Sequence, residues 1–189
     1  MKKLLYIHGF GSKFDPENAK VVTLAEHFEI VGVDIDYTEK PEVNLAKVEA
    51  LIKEHNIDGL TGTSMGGWLS IVSSGRFSLP AVALNPAFDP HASLARHIGK
   101  GVDFTGKAYD MTQDTVNAYA DYGLGTAPVK VPCLTFHGTA DDVIDPIAAN
   151  ACLNARGHET HLIPGVEHRF SDLAPILDQI LAYFKQALK

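Results

Sequence analysis

Residues 62–66 read Gly-Thr-Ser-Met-Gly, and no other stretch limits the fold of this 189-residue chain so tightly. Ahead of it, Ile57, Leu60 and Thr61 read as a short strand. Behind it, Trp68, Leu69, Ile71 and Val72 read as a buried helix face. A sharp strand-to-helix turn brings the residues two before and two after the serine into near contact, so a Cβ at Gly62 or Gly66 would clash. Gly67 lets the helix sit close to the strand. The serine is forced into a strained backbone conformation that lifts its hydroxyl above the sheet edge. The turn also leaves the amide of Met65 free at a helix N-terminus, where N–H groups and the dipole favour negative charge. A glycine-rich turn alone would carry little meaning; the strand and helix around this one separate a nucleophile elbow from an ordinary turn.

The rest of the chain supplies the layers such a turn needs. Apolar runs at 4–7, 30–35, 81–85, 131–138 and 160–165 read as strands, with a further strand ending at Ser64. Helical spacing appears over 16–28, through Leu45, Val48, Leu51 and Ile52, and from Leu173 to Leu188. Strands alternating with helices imply an α/β fold: a three-layer α/β/α sandwich around a mostly parallel sheet of about six strands. The length suits one domain over 1–189. Residues 86–130 break the rhythm. They are expected to hold one helix around 90–98 and then a short cap insertion at about 99–128, with Phe104, Tyr109, Met111, Tyr119 and Tyr122 in it.

Composition narrows the partners. A net charge of −7 argues against nucleic acid and against an anionic membrane surface. No apolar run reaches spanning length, and Met1–Ile7 meets His8-Gly9 too early for a secretory signal. Cys133 and Cys152 make no disulfide framework, and Cys133 reads as a buried small hydrophobe. A cytoplasmic protein acting on a small molecule is expected.

A serine hydroxyl is a weak nucleophile until a base takes its proton, and that base needs an orienting acid. In this layout the order along the chain is Ser, then Asp or Glu, then His, each on a loop after a later strand. The fifth strand runs into HGTADDVID (137–145) and the sixth into IPGVEHRF (163–170). Asp141, at the loop apex, is favoured as the acid; Asp142 beside it stays a competitor, whereas Asp145 before Pro146 suits a helix N-cap. His168 is the candidate base. His8 and His137 each precede a glycine at a strand end, where a structural hydrogen bond is expected, and the other six histidines suit solvated or packed positions. No histidine pair has metal-ligand spacing with a third ligand nearby, so neither metal nor cofactor is expected. The loop His8-Gly9-Phe10-Gly11-Ser12 follows the first strand, and its glycines let the Phe10 amide turn inward as a second oxyanion donor beside Met65. The same Gly-Phe-Gly, with Asp34 or Asp36 ending the next strand, imitates a dinucleotide fingerprint. The imitation fails at Phe14, where the third glycine should stand.

Together HGFGS, GTSMGGW, LNPAF, HGTADD and GVEHRF resemble the α/β-hydrolase superfamily, and within it the compact YqiA/YcfP-like esterases, over nearly all the chain outside 99–128. The resemblance implies a minimal α/β-hydrolase fold with no counterpart of the superfamily's leading antiparallel strands. It implies Ser64 as nucleophile, Asp141 as acid, His168 as base, and the Phe10 and Met65 amides as oxyanion donors. The activity it implies is hydrolysis of small-molecule carboxylic esters through an acyl-enzyme. Thioester or C–C bond hydrolysis on the same scaffold is the alternative reaction, and a non-catalytic binding protein that keeps the elbow is the alternative class.

Overall fold

Successive side chains of a strand point to opposite faces, so a strand apolar at every position must be covered on both sides. The computed structural model describes residues 1–189, and its first strand, β1 (Lys3–Ile7), is of this kind from Leu4 to Ile7. The other strands are β2 (Glu29–Val33), β3 (Gly59–Thr63), β4 (Ala81–Leu84), β5 (Gly99–Val102), β6 (Ala108–Met111), β7 (Leu134–Gly138) and β8 (Glu159–Ile163). Six of them form one sheet in the order β2-β1-β3-β4-β7-β8, with every pairing parallel. β5 and β6 form a separate antiparallel hairpin.

The helices divide by the faces they cover. Leu5 and Ile7 join one apolar cluster with residues of α2 (Pro41–His55), α3 (Met65–Phe77) and α6 (Pro146–Ala155). Leu4 and Tyr6 point the other way, into a cluster with α1 (Ala19–Ala25) and α7 (Leu177–Ala187). This is the expected α/β/α sandwich. Each fully buried Leu, Ile or Phe contributes about 1.5–3 kcal/mol, so both clusters hold the sheet. No helix is long and apolar enough to cross a membrane.

Several boundaries lie inside the stretches expected from sequence, each for a local reason. α1 starts at Ala19 and not Pro16, because the Asn18 side chain caps it by accepting from the Lys20 amide. β2 ends at Val33 and not residue 35, since the Ile35 amide donates to His8 Nε2 instead of to the sheet. β7 begins at Leu134 and not 131: Pro132 has no N–H, and the Cys133 amide donates to His158 Nδ1. β8 stops at Ile163, before Pro164. α7 starts only at Leu177, as Pro175 interrupts the apolar period that begins at Leu173.

The long connection is a composite. α4 (Pro90–Ala95), α5 (Gln113–Ala118) and a 3₁₀ turn (Ala120–Tyr122) extend the core: Leu94, Val116, Tyr119 and Leu124 are buried, and the Trp68 indole donates to the Tyr122 carbonyl. The β5–β6 hairpin is the most exposed part, joined to the core through Met111 and Tyr109. The sequence reading did not anticipate it, although Asp103-Phe-Thr-Gly-Lys carried a turn signal: the Asp103 carboxylate accepts from the amides of Thr105 and Lys107.

Candidate active site

Parallel strands bring their C-terminal ends to one edge of the sheet, and the loops there follow strand order. Phe10 comes after β1, Ser64 after β3, Asn85 after β4, Asp141 after β7 and His168 after β8. Neighbouring strands lie about 4.8 Å apart, so His168 leaves the sheet three strands, about 14 Å, from Ser64. Its loop must reach back over β7 and β4.

Ser64 sits at φ 59°, ψ −122°, a conformation that a non-glycine residue holds only when its surroundings compel it. The compulsion is visible in the two flanking glycines. A Cβ on Gly66 would lie 2.0 Å from the Ile7 carbonyl oxygen, and one on Gly62 would lie 2.5 Å from the Gly66 backbone. Neither the Met65 amide nor the Phe10 amide has a backbone acceptor. A Cβ on Gly9 would meet Ser64 Cβ at 3.3 Å, so the loop carrying Phe10 presses directly on the serine.

The structure brings Ser64, His168 and Asp141 together. His168 Nε2 lies 3.0 Å from Ser64 Oγ. Its Nδ1 lies 2.9 Å and 2.8 Å from the two Asp141 carboxylate oxygens. The Asp141 carboxylate also accepts the amides of Val143 and Ile144. Burial disfavours its charge, but the hydrogen bonds from His168 and those two amides outweigh burial, and its pKa lies below the ordinary value. An ionised carboxylate only accepts, so Nδ1 must carry a proton, and in the neutral imidazole Nε2 then presents its lone pair to the Ser64 hydroxyl. Asp142 is exposed and makes no bond to the imidazole, and Asp145 caps α6 through the amides of Ile147 and Ala148.

What the motif reading gave no role is Asn85. It is 1% exposed, at φ 43°. Its Nδ2 donates to the carbonyls of Glu167 and His168, and its Oδ1 accepts the Gly138 amide. Directly after β4, between the strands that lead to Ser64 and Asp141, it ties the His168 loop down to the end of β7. The one available signal was an asparagine directly after an apolar strand, in LNPAF. His8 is structural: Nδ1 donates to the Gly9 carbonyl and Nε2 accepts from Ile35. His137 is buried against Thr135, and burial first of all lowers its pKa to about 4.

A cavity of about 710 Å³ opens beside Ser64 and His168. Gly9, Phe10, Ala140, Val143 and the hairpin-tip Phe104 line it. Phe104 also donates its amide to the Gly11 carbonyl and lies under the Arg169 guanidinium.

The model of the family described as "Uncharacterised protein family (UPF0227)" matches residues 3–185. The chain belongs to that family. Solved structures similar to this UPF0227 chain include Est1E from Butyrivibrio proteoclasticus with ferulic acid bound (TM-score 0.76, 16% identity, covering 100% of this chain and 89% of that one). The esterase domain of a Rhodothermus marinus protein gives a TM-score of 0.73 at 18% identity, covering 100% and 88%. Carboxylesterase CesB (YbfK) from Bacillus subtilis gives 0.68 at 14%, covering 97% and 83%. At such identities the likeness establishes the fold, and the α/β-hydrolase resemblance drawn from the motifs holds at the level of fold and family.

Proposed function

We propose that this UPF0227 protein is a serine hydrolase that cleaves carboxylic esters of small molecules in the cytoplasm through an acyl-enzyme. The observation that carries the reading is the unbroken hydrogen-bond line from Asp141 through His168 to Ser64, beside two free amides and an open cavity. The esterases among its structural neighbours support the same reading.

Ser64 Oγ attacks the ester carbonyl carbon while His168 Nε2 takes the hydroxyl proton, and Asp141 stabilises the imidazolium that forms. Charge develops on the carbonyl oxygen, where the Met65 and Phe10 amides donate; losing one such donor costs about 10²–10³ in rate in enzymes where it has been measured. When the tetrahedral adduct collapses, the alcohol leaves with the proton from His168. A water, deprotonated in turn by His168, attacks the acyl-enzyme; the acyl–Oγ bond breaks, Ser64 Oγ takes the proton back from His168, and the acid is released.

Ser64→Ala tests this against 4-nitrophenyl acetate and butyrate, with the matching thioesters alongside. The variant should keep its fold and lose at least about 10⁴-fold in kcat. An organophosphonate should label Ser64 stoichiometrically. Near-normal turnover by the variant, or mass-spectrometric label elsewhere, would end the proposal.

A further inference from the structure

The mechanism above leaves one buried charge unused. Lysine is almost never fully buried unless it is paired. Lys20, on α1, keeps only 7% of its surface exposed. Its Nζ donates to the Arg169 carbonyl at 2.5 Å, and no carboxylate approaches it to ion-pairing distance. An ammonium has three donors, so two remain without a protein acceptor. Burial lowers the Lys20 pKa to about 8, with Glu167 working against that shift. At neutral pH a desolvated and largely unpaired cation is therefore held in the fold, at an expense that an apolar side chain would avoid.

Its position gives that cation a use. Lys20 lines the same cavity as Ser64 and His168. Arg169, whose carbonyl it holds, directly follows His168, so the ammonium is anchored one residue, about 3.8 Å of chain, from the base. Three carboxylates also line the cavity, those of Asp15, Asp142 and Glu167, but all three residues are exposed. Glu167 is moreover engaged by the amide and hydroxyl of Ser171. Water and salt screen exposed charges, whereas a buried one keeps its field. Among the lysine, arginine and carboxylate side chains on the wall, the one that is buried is the Lys20 ammonium.

We propose that Lys20 binds a carboxylate on the substrate, so that the esters this site prefers are half-esters of dicarboxylic acids or similar anionic acyl esters. The inference rests on the reading of Ser64 as nucleophile. One ammonium with two free donors matches the single charge and two oxygens of a carboxylate. A phosphate dianion would call for further donors of the same buried kind, and Lys13 and Arg169, the other cations on the wall, are both exposed.

A matched pair of substrates tests it: 4-nitrophenyl hydrogen glutarate against 4-nitrophenyl valerate, equal in acyl length and differing in charge. The wild-type protein should favour the glutarate ester by about 10- to 100-fold in kcat/KM, the worth of a charge-assisted hydrogen bond. Lys20→Met should erase that preference, lowering kcat/KM for the glutarate ester by about 10- to 100-fold more than for the valerate ester. A wild-type preference for valerate would overturn the proposal without recourse to any variant. So would an equal fall for both esters in Lys20→Met, which would reduce Lys20 to a support for the base loop. Calorimetric binding of the glutarate ester to Ser64→Ala, with and without Lys20→Met, separates the two readings. If neither ester is hydrolysed, the nucleophile assignment fails, while a binding difference of the same size still upholds Lys20.

Discussion

Two glycine-bearing turns border the cavity, and they are built on opposite terms. In the elbow, backbone atoms of β1 and α3 occupy the places where side chains at Gly62 and Gly66 would go. In the β5–β6 hairpin, Cβ atoms on Gly99 and Gly106 would meet nothing within 4 Å; those residues are needed for φ of +102° and +83°. The side chains divide the same way. Met65 in the elbow is 2% exposed, whereas Val102 and Phe104 on the hairpin are 68% and 82% exposed. The rim that carries Ser64 is thus fixed by close packing of backbone on backbone, which leaves one arrangement. The hairpin is fixed by local turn preference and a few tethers, among them the Phe104 amide on Gly11 and the Arg169 guanidinium over its ring. On the proposed function, chemistry that tolerates little displacement would sit on the first kind of structure, and contact with a substrate entering the cavity would fall in part to the second.

The sharpest way to break this contrast is Gly66→Ala. The added methyl would have to displace the Ile7 and His8 carbonyls, at 2.0 Å and 2.6 Å, and both belong to backbone that cannot swing aside. A loss of about 3–5 kcal/mol is expected, a large share of the 5–15 kcal/mol that holds a typical domain. Urea denaturation reads it directly. A change below about 1 kcal/mol would mean that the elbow has slack and that Ser64 is not held in its strained conformation by packing.

Asn85→Ala sharpens the contrast at the next level, since it leaves the elbow intact and cuts the base loop loose. The buried Gly138 amide and the His168 carbonyl would lose their partner, while the Glu167 carbonyl would keep only the Phe170 amide. Stability should fall by about 2–4 kcal/mol. Per folded molecule, kcat should fall by about 10- to 100-fold with KM little changed, because a misplaced imidazole spoils proton transfer more than binding. Lost stability with an unaltered kcat would confine Asn85 to a structural role.

The legibility of the sequence divides along similar lines. The sheet was readable because burial on both faces makes parallel strands continuously apolar, as in Leu4–Ile7 and Ala81–Leu84. The elbow was readable because its sterics admit almost no residue other than glycine at 62 and 66. Asp141 and Asp142 could not be parted with the same force. They are chain neighbours, and which carboxylate faces the imidazole depends on the turn made by Val143 and Ile144, whose amides bind Asp141. Asn85 and Lys20 were illegible for a stronger reason: their partners lie 53 to 149 residues away, and nothing in the local pattern says which distant groups they tie. The hairpin was missed because its strands are short and half exposed, with alternation too brief to show a period.

Gly106→Ala probes the other side of the contrast and should have the smallest effect. Left-handed backbone disfavours alanine by about 1 kcal/mol, while the methyl itself finds open space. Alanine also restricts the unfolded chain, which returns about 0.4–1 kcal/mol where the native backbone can accommodate it. The two effects oppose each other, so global stability should move by no more than about 1 kcal/mol. Even that much strain can be relieved by opening the hairpin locally, since few of its residues join the core. Hydrolysis of a short neutral ester should stay within about threefold of wild type, as none of the groups that line up with Ser64 contacts Gly106. Run beside Gly66→Ala in the same denaturation series, the pair makes a direct comparison of one added methyl in two turns. A fall of several kcal/mol for Gly106→Ala would show that the hairpin is welded to the sheet as firmly as the elbow is.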